Sequence, residues 1–158
     1  MNTFTLVAFS AERRIAAIGV FGGTHLEDIR LRHLSNRPMQ ATGAVREIVT
    51  RAIEHHRPGF IAIHYPVEKA GGRIRQFAEA VKEIADEFGI PSTGVDDKAM
   101  MSAYGYPILT RTEHVRKIGR QIWPSLESSL SKRAAVDAAT AGLYVQVQRL
   151  FSLNEVQA

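Results

Sequence analysis

The chain has 158 residues, 45% of them hydrophobic, which is the size of one ordinary domain with a sizeable core. No apolar run approaches the ~18 residues that span a bilayer, and Met1-Asn2-Thr3-Phe4 has no basic stretch leading into a long apolar segment, so neither a membrane partner nor a secretory signal is expected. The lack of cysteine excludes disulfides, thiolate zinc sites and cysteine nucleophiles and fits a cytoplasmic protein, while the formal charge of +4 is compatible with a polyanionic partner.

Phe4-Thr5-Leu6-Val7-Ala8-Phe9 is β-prone and runs into a polar turn, Ser10-Ala11-Glu12-Arg13, before a second apolar strand, Ile15 to Phe21. Gly22-Gly23-Thr24 supplies a tight turn. Leu26 to Leu34 follows as a third strand, with Ile29 and Leu31 alternating against Asp28, Arg30 and Arg32. The period then becomes helical: Val45, Ile48, Val49, Ala52 and Ile53 predict an amphipathic helix over 41–56, ended by Pro58-Gly59. Phe60-Ile61-Ala62-Ile63 is the continuous apolar run of a strand buried on both faces. A longer helix follows with the stripe Ile74, Phe77, Ala78, Val81, Ile84, Ala85 and Phe88, stopped by Gly89. Pro91 to Val95 predicts a short fifth strand running into Asp96-Asp97. Thr110 with Glu113 forms a capping box for a helix carrying Val115, Ile118 and Ile122. Pro124 and the serines at 125, 128 and 129 mark a loop. A final Ala-rich helix runs from about Ser131 to Phe151, so residues 1–151 are expected to form one domain and 152–158 a frayed tail. The order β-β-β-α-β-α-β then helices predicts an α/β fold, an antiparallel meander of three strands extended by two parallel ones into a mixed five-stranded sheet flanked by helices.

Several local sequences carry a family likeness. Ala62-Ile63-His64-Tyr65-Pro66-Val67, with Gly71-Gly72 and the helix holding Phe77-Ala78-Glu79, resembles the strand, turn and helix of the YqgF proteins. Val95-Asp96-Asp97-Lys98 is similar to that family's Asp-Glu-Arg segment, and Glu12-Arg13-Arg14-Ile15 to its Glu-Lys-Arg-Ile turn. Ala135-Val136-Asp137-Ala138-Ala139 resembles the Asp-bearing last helix of both YqgF and RuvC. The chain therefore resembles the RuvC/YqgF branch of the ribonuclease H-like superfamily over residues 3–150.

That resemblance implies carboxylates from the first strand, a middle strand and the last helix converging on Mg²⁺ or Mn²⁺, which activates water against a phosphodiester. The set is degenerate in this sequence. The first-strand acid position falls on Ser10 or Phe9, the RuvC middle-strand acid on His64, and one of the two last-helix acids on Ala134. Asp96, Asp97 and Asp137 remain as catalytic candidates, with Asp97 and Asp137 as metal ligands and Glu12 or Glu68 as substitutes. Each also has a plainer reading: Asp96-Asp97 as a cap of the helix Lys98 to Ala103, Asp137 as a carboxylate favoured by a helix dipole, and His64 as a hydrogen-bonded core or rim histidine. His55-His56 lacks zinc-helix spacing, and no nucleophile-elbow motif is present.

Basic residues cluster at Arg13-Arg14, at Lys132-Arg133, and at Arg116, Lys117 and Arg120 beside Arg111, with Lys69, Arg73 and Arg75 flanking. On the resembled fold the first-hairpin turn and the final helix border the acid site, flanked by Lys69, Arg73 and Arg75, and such a rim would hold phosphates without reading sequence. Trp123 and Tyr104 to Tyr106 are candidates for base stacking, with Trp123 read more readily as core or interface. The leading expectation is a protein that binds structured or branched DNA or RNA with cleavage lost or reduced. Two others stand beside it: an active Mg²⁺-dependent, Holliday junction resolvase-like endonuclease using Asp96, Asp97 and Asp137, and a non-catalytic scaffold or homodimer.

Overall fold

A computed structural model describes residues 2–65, 72–105, 117, 119–126 and 129–157. Three antiparallel strands come first: β1 (Asn2–Glu12), β2 (Ile15–Gly22) and β3 (His25–His33). Helix α1 (Pro38–His56), strand β4 (Pro58–Tyr65), helix α2 (Arg73–Glu87) and strand β5 (Ser92–Asp96) form two βαβ crossovers. Helix α3 (Asp97–Tyr104) follows β5, residues 119–122 are helical, and a last helix, α4 (Arg133–Gln157), closes the chain. The sheet order is β3-β2-β1-β4-β5, with β4 parallel to β1 and to β5, which is the mixed sheet that the periodicity predicts.

The alternation of β1 divides the interior into two cores. Val7 and Phe9 face α1 and α2, whose stripes Val45-Val49-Ile53 and Phe77-Val81-Ile84 cover them. Leu6 and Ala8 face the opposite way, beneath α4. That helix meets the sheet through small side chains, Ala134, Ala135, Ala138, Ala139 and Ala141, all fully buried. Small residues let backbone approach backbone, and Gly142 is the tightest point of that approach. A Cβ there would lie 2.4 Å from the Phe21 ring and 2.9 Å from Ala8 Cβ.

The differences from the expected elements have local causes. Strand β1 continues through Ser10 and Ala11 to Glu12, where a polar turn is expected, because the Ser10 hydroxyl has a buried partner and Ala11 is itself core. The turn is confined to Arg13-Arg14. Helix α1 begins earlier, at Pro38, whose missing N–H and fixed φ suit the first helical position. It ends at Arg57, which takes the left-handed conformation at φ 46°. Helix α4 starts at Arg133 and runs on to Gln157, through residues where fraying is expected. The Thr110–Glu113 capping box, Arg116, Glu68 and Lys69 lie outside the described residues. Among the described residues no helix is long and apolar enough to cross a membrane.

Gly142→Ala is expected to destabilise the protein by about 1 to 3 kcal/mol through overpacking against Phe21 and Ala8. A lowered urea midpoint with an unchanged slope would register it.

Candidate functional site

Strand register brings the site together. Phe9 pairs with Ile63 across the parallel β1–β4 ladder, so Ser10 and His64 are neighbours at the carboxyl ends of the two strands. Both point to the α4 side, whereas Phe9 points into the other core. Of the two residues that could stand at the first-strand position, it is Ser10 that faces the site. Asp97 arrives from the adjacent parallel strand, as the first residue of α3 after β5. Asp137 comes down from the second turn of α4. Ser10 is 0% exposed, His64 and Asp97 1% and Asp137 2%.

Ser10 Oγ lies 2.8 Å from His64 Nδ1, and His64 Nε2 lies 2.7 Å from Asp97 Oδ1. An ionised carboxylate only accepts, so Nε2 donates to Asp97, while Nδ1 and the Ser10 hydroxyl share the second hydrogen bond. Asp137 Oδ2 stands 3.9 Å from His64 Nδ1 and 3.4 Å from Nε of Arg133, one helical turn before it. Both carboxylates are thus compensated by nitrogen groups, the condition under which buried charge is tolerated. The order hydroxyl, imidazole, carboxylate is that of a nucleophilic triad, but Ser10 lies wholly buried beneath α4, with its hydroxyl turned to the histidine.

Mg²⁺ and Mn²⁺ require several hard oxygen ligands with open lone pairs. The described residues offer two carboxylates, one hydrogen-bonded by His64 and the other ion-paired with Arg133, and an imidazole engaged at both ring nitrogens. Among the described residues no group of three or more His, Asp or Glu is placed to hold a metal ion. Nitrogen groups stand where a divalent cation would need further oxygen ligands, although Asp137 Oδ1 is buried with no hydrogen bond of its own among the described residues.

The other expected site residues separate. Asp96 is the N-cap of α3, its Oδ1 accepting from Ala99 N at 2.7 Å, so the capping reading applies to it and not a place in the cluster. Glu12 is no ligand either: its Oε2 accepts from Ala134 N at 3.2 Å at the start of α4. That hydrogen bond joins the exposed Arg13-Arg14 turn to exposed Lys132 and half-buried Arg133. Arg73 departs from the expected phosphate rim. It donates to the Ser35 and Asn36 carbonyls and lies over the Phe77 ring, pinning the loop after β3. Lys117 and Arg120 are exposed on a helical stretch whose Gly119 packs against Val136 of α4. Trp123 is core, edge-on to Phe21 at 6.5 Å. The Arg133–Asp137 pair was readable only as an (i, i+4) spacing; nothing in the sequence says that Asp137 turns inward.

No family model and no curated protein matches the chain by sequence. Solved structures match it by shape. Thermus thermophilus RuvC in complex with a Holliday junction substrate superposes with a TM-score of 0.71 at 16% identity, covering 92% of this chain and 96% of that one. The chain has the ribonuclease H-like fold of RuvC. The fowlpox virus resolvase with Holliday junction DNA gives a TM-score of 0.62 at 11% identity, over 94% of this chain and 98% of that one. A yeast mitochondrial Holliday junction resolvase gives 0.63 at 9% identity, over 94% and 81%. On this RuvC-like frame the serine and the imidazole stand at the ends of the two central strands.

Removing the imidazole should be the costliest change in the cluster, because it leaves a buried carboxylate uncompensated. His64→Leu is expected to lose about 3 to 5 kcal/mol. Ser10→Ala, which removes only the hydroxyl partner of one ring nitrogen, should lose about 1 to 3 kcal/mol. Equilibrium urea unfolding of both variants gives the ranking, and the reverse order would reject this wiring.

Proposed function

We propose that this protein binds structured or branched nucleic acid through a RuvC-like frame without cleaving it. The observation that carries the reading is the Ser10–His64–Asp97 chain, a self-satisfied polar cluster at the strand ends where the resemblance calls for metal-binding acids. Hydrolysis of a phosphodiester by this fold needs metal-activated water, and neither a serine hydroxyl nor a doubly engaged imidazole takes a carboxylate's place as ligand. Binding makes lesser demands. It needs positive charge along a surface, and the hydrogen bond from Ala134 to Glu12 gathers Arg13, Arg14 and Lys132 at one rim, with Arg133 beside them paired to Asp137. Lys117 and Arg120 extend the basic surface beside α4. The two superposable resolvases solved with Holliday junctions make a four-way DNA junction the first substrate to try.

The alternative of an active Mg²⁺-dependent endonuclease built on Asp96, Asp97 and Asp137 meets two obstacles. Asp96 is held as a cap, and Asp97 Oδ1 and Asp137 Oδ2 each face a nitrogen group. No specific observation favours the scaffold reading.

The expected outcome is a salt-sensitive shift of a four-way junction on a native gel, with no nicking after long incubation in Mg²⁺ or Mn²⁺. Arg13→Ala with Arg14→Ala should weaken binding on the order of tenfold and lower the salt slope by about 1 to 2, roughly one unit for each phosphate that is no longer neutralised. Metal-dependent nicking abolished by Asp137→Asn would overturn the non-cleaving part. Absence of any shift at low salt would overturn the binding part.

A further inference from the structure

Strand β3 is a sheet edge, and α1 does not reach over it. Between the two lies an open groove of about 680 Å³, within the range of sites that hold small ligands or single nucleotides. Its floor is apolar, made by Ile18 and Val20 of β2 and by Ile48 and Ala52 of α1. Its rim is basic, with Arg30 and Arg32 from β3 and Arg51 from α1, and the His55-His56 pair closes it at the end of α1. The acids at the rim are Asp28, already paired with Arg30 at 2.8 Å, and Glu54.

We propose that this groove is a second nucleic-acid contact, taking the backbone of a single strand along β3 and one unstacked base against the histidine pair of α1. The inference rests on the nucleic-acid reading above and extends it to a surface on the opposite face of the sheet from α4.

Arg30 and Arg32 are two apart on a strand, so they share a face with a Cα spacing of about 6.8 Å, close to the step between successive phosphates on an extended strand. Arg32 has no ion-pair partner among the described residues, and Arg30 and Arg51 hold only exposed pairs, with Asp28 and with Glu47. Exposed pairs of this kind are weak, so a phosphate can displace them at small cost. The His55 and His56 rings stand perpendicular with centroids 4.6 Å apart, offering an aromatic face and edge over an apolar floor. Burial, then neighbouring His55, holds the His56 imidazole below the usual histidine range, so at neutral pH it presents an uncharged ring suited to stacking.

The groove also continues the first surface. Leu34 N donates to Arg14 O at 2.7 Å, which sets the end of β3 against the basic β1–β2 turn. Hydrogen bonds therefore link the turn carrying Arg13 and Arg14 both to the start of α4, beside Lys132, and to the end of β3, beside Arg32. A branched substrate has strands to occupy both parts.

The test compares the full chain with an Arg32→Glu/Arg51→Glu variant and with the Arg13→Ala/Arg14→Ala variant. The probes are a fluorescent duplex carrying a single-stranded tail and the same duplex blunt-ended. Wild type should prefer the tailed duplex. The groove variant should lose at least about fivefold in affinity for it and lower its salt slope by about 2, while changing blunt-duplex binding less than about twofold. The turn variant should weaken both. An Arg32→Lys/Arg51→Lys control, which keeps the charge, should stay near wild type, and melting curves confirm folding of all variants. A groove variant that binds the tailed duplex like wild type, or loses both probes equally, overturns the inference while the turn variant's loss still supports the first reading. Wild type binding neither probe overturns the inference, while the four-way junction shift decides the first reading.

Discussion

The imidazole of His64 is the constraint on which the carboxyl ends of the central strands depend. It reaches a hydroxyl on β1 with one nitrogen and a carboxylate at the head of α3 with the other, so strands that are neighbours in the sheet are also tied side chain to side chain. No one of these groups is tolerable alone at that depth. A buried carboxylate without a partner costs several kcal/mol, and a stranded hydroxyl or ring nitrogen somewhat less. The burial of each is therefore licensed by the others, and the cluster is best regarded as one unit that forms when β1, β4, β5 and α4 come together.

This unit and the packing of α4 depend on each other. The helix presents alanines and a glycine to the sheet, which brings its backbone close. That nearness is what lets Asp137, early in the helix, come within 3.9 Å of the ring while remaining buried. A helix seated on leucines would hold the same aspartate farther out, where water would enter and the carboxylate could remain solvated. Arg133 completes the arrangement from the first turn, half-exposed, with its guanidinium turned inward.

Most of the architecture was legible in the sequence because it is written in periodicity. The shift from period two to a helical repeat near residue 41, the apolar run 60–63 and the Gly89 stop all fall where the elements lie. What was hidden depended on pairings between distant residues. Ser10 looks like a turn residue because serine is common in turns; only its partner 54 residues away makes it a strand residue. Asp96 and Asp97 are adjacent and chemically identical, yet the backbone sends one to cap a helix and the other into the interior. Arg73 has the composition of a phosphate binder, but the loop carbonyls of Ser35 and Asn36 claim it. Arg30 and Arg32 were visible as polar positions of an alternating strand, while the groove that gives them meaning required knowing that β3 is an edge.

The bond from the first turn of α4 to the Glu12 carboxylate has a consequence for selectivity. It holds the backbone of the hairpin tip against the helix start, so the Cα positions that carry these charges keep their spacing while the side chains stay free. For the nucleic acid proposed as its ligand, side chains and not backbone would be ordered on encounter, which penalises charges that do not match that spacing. A surface of the same composition on loose loops would adapt to many shapes. On the proposed reading this surface is a template, whose discrimination lies in shape and not in sequence.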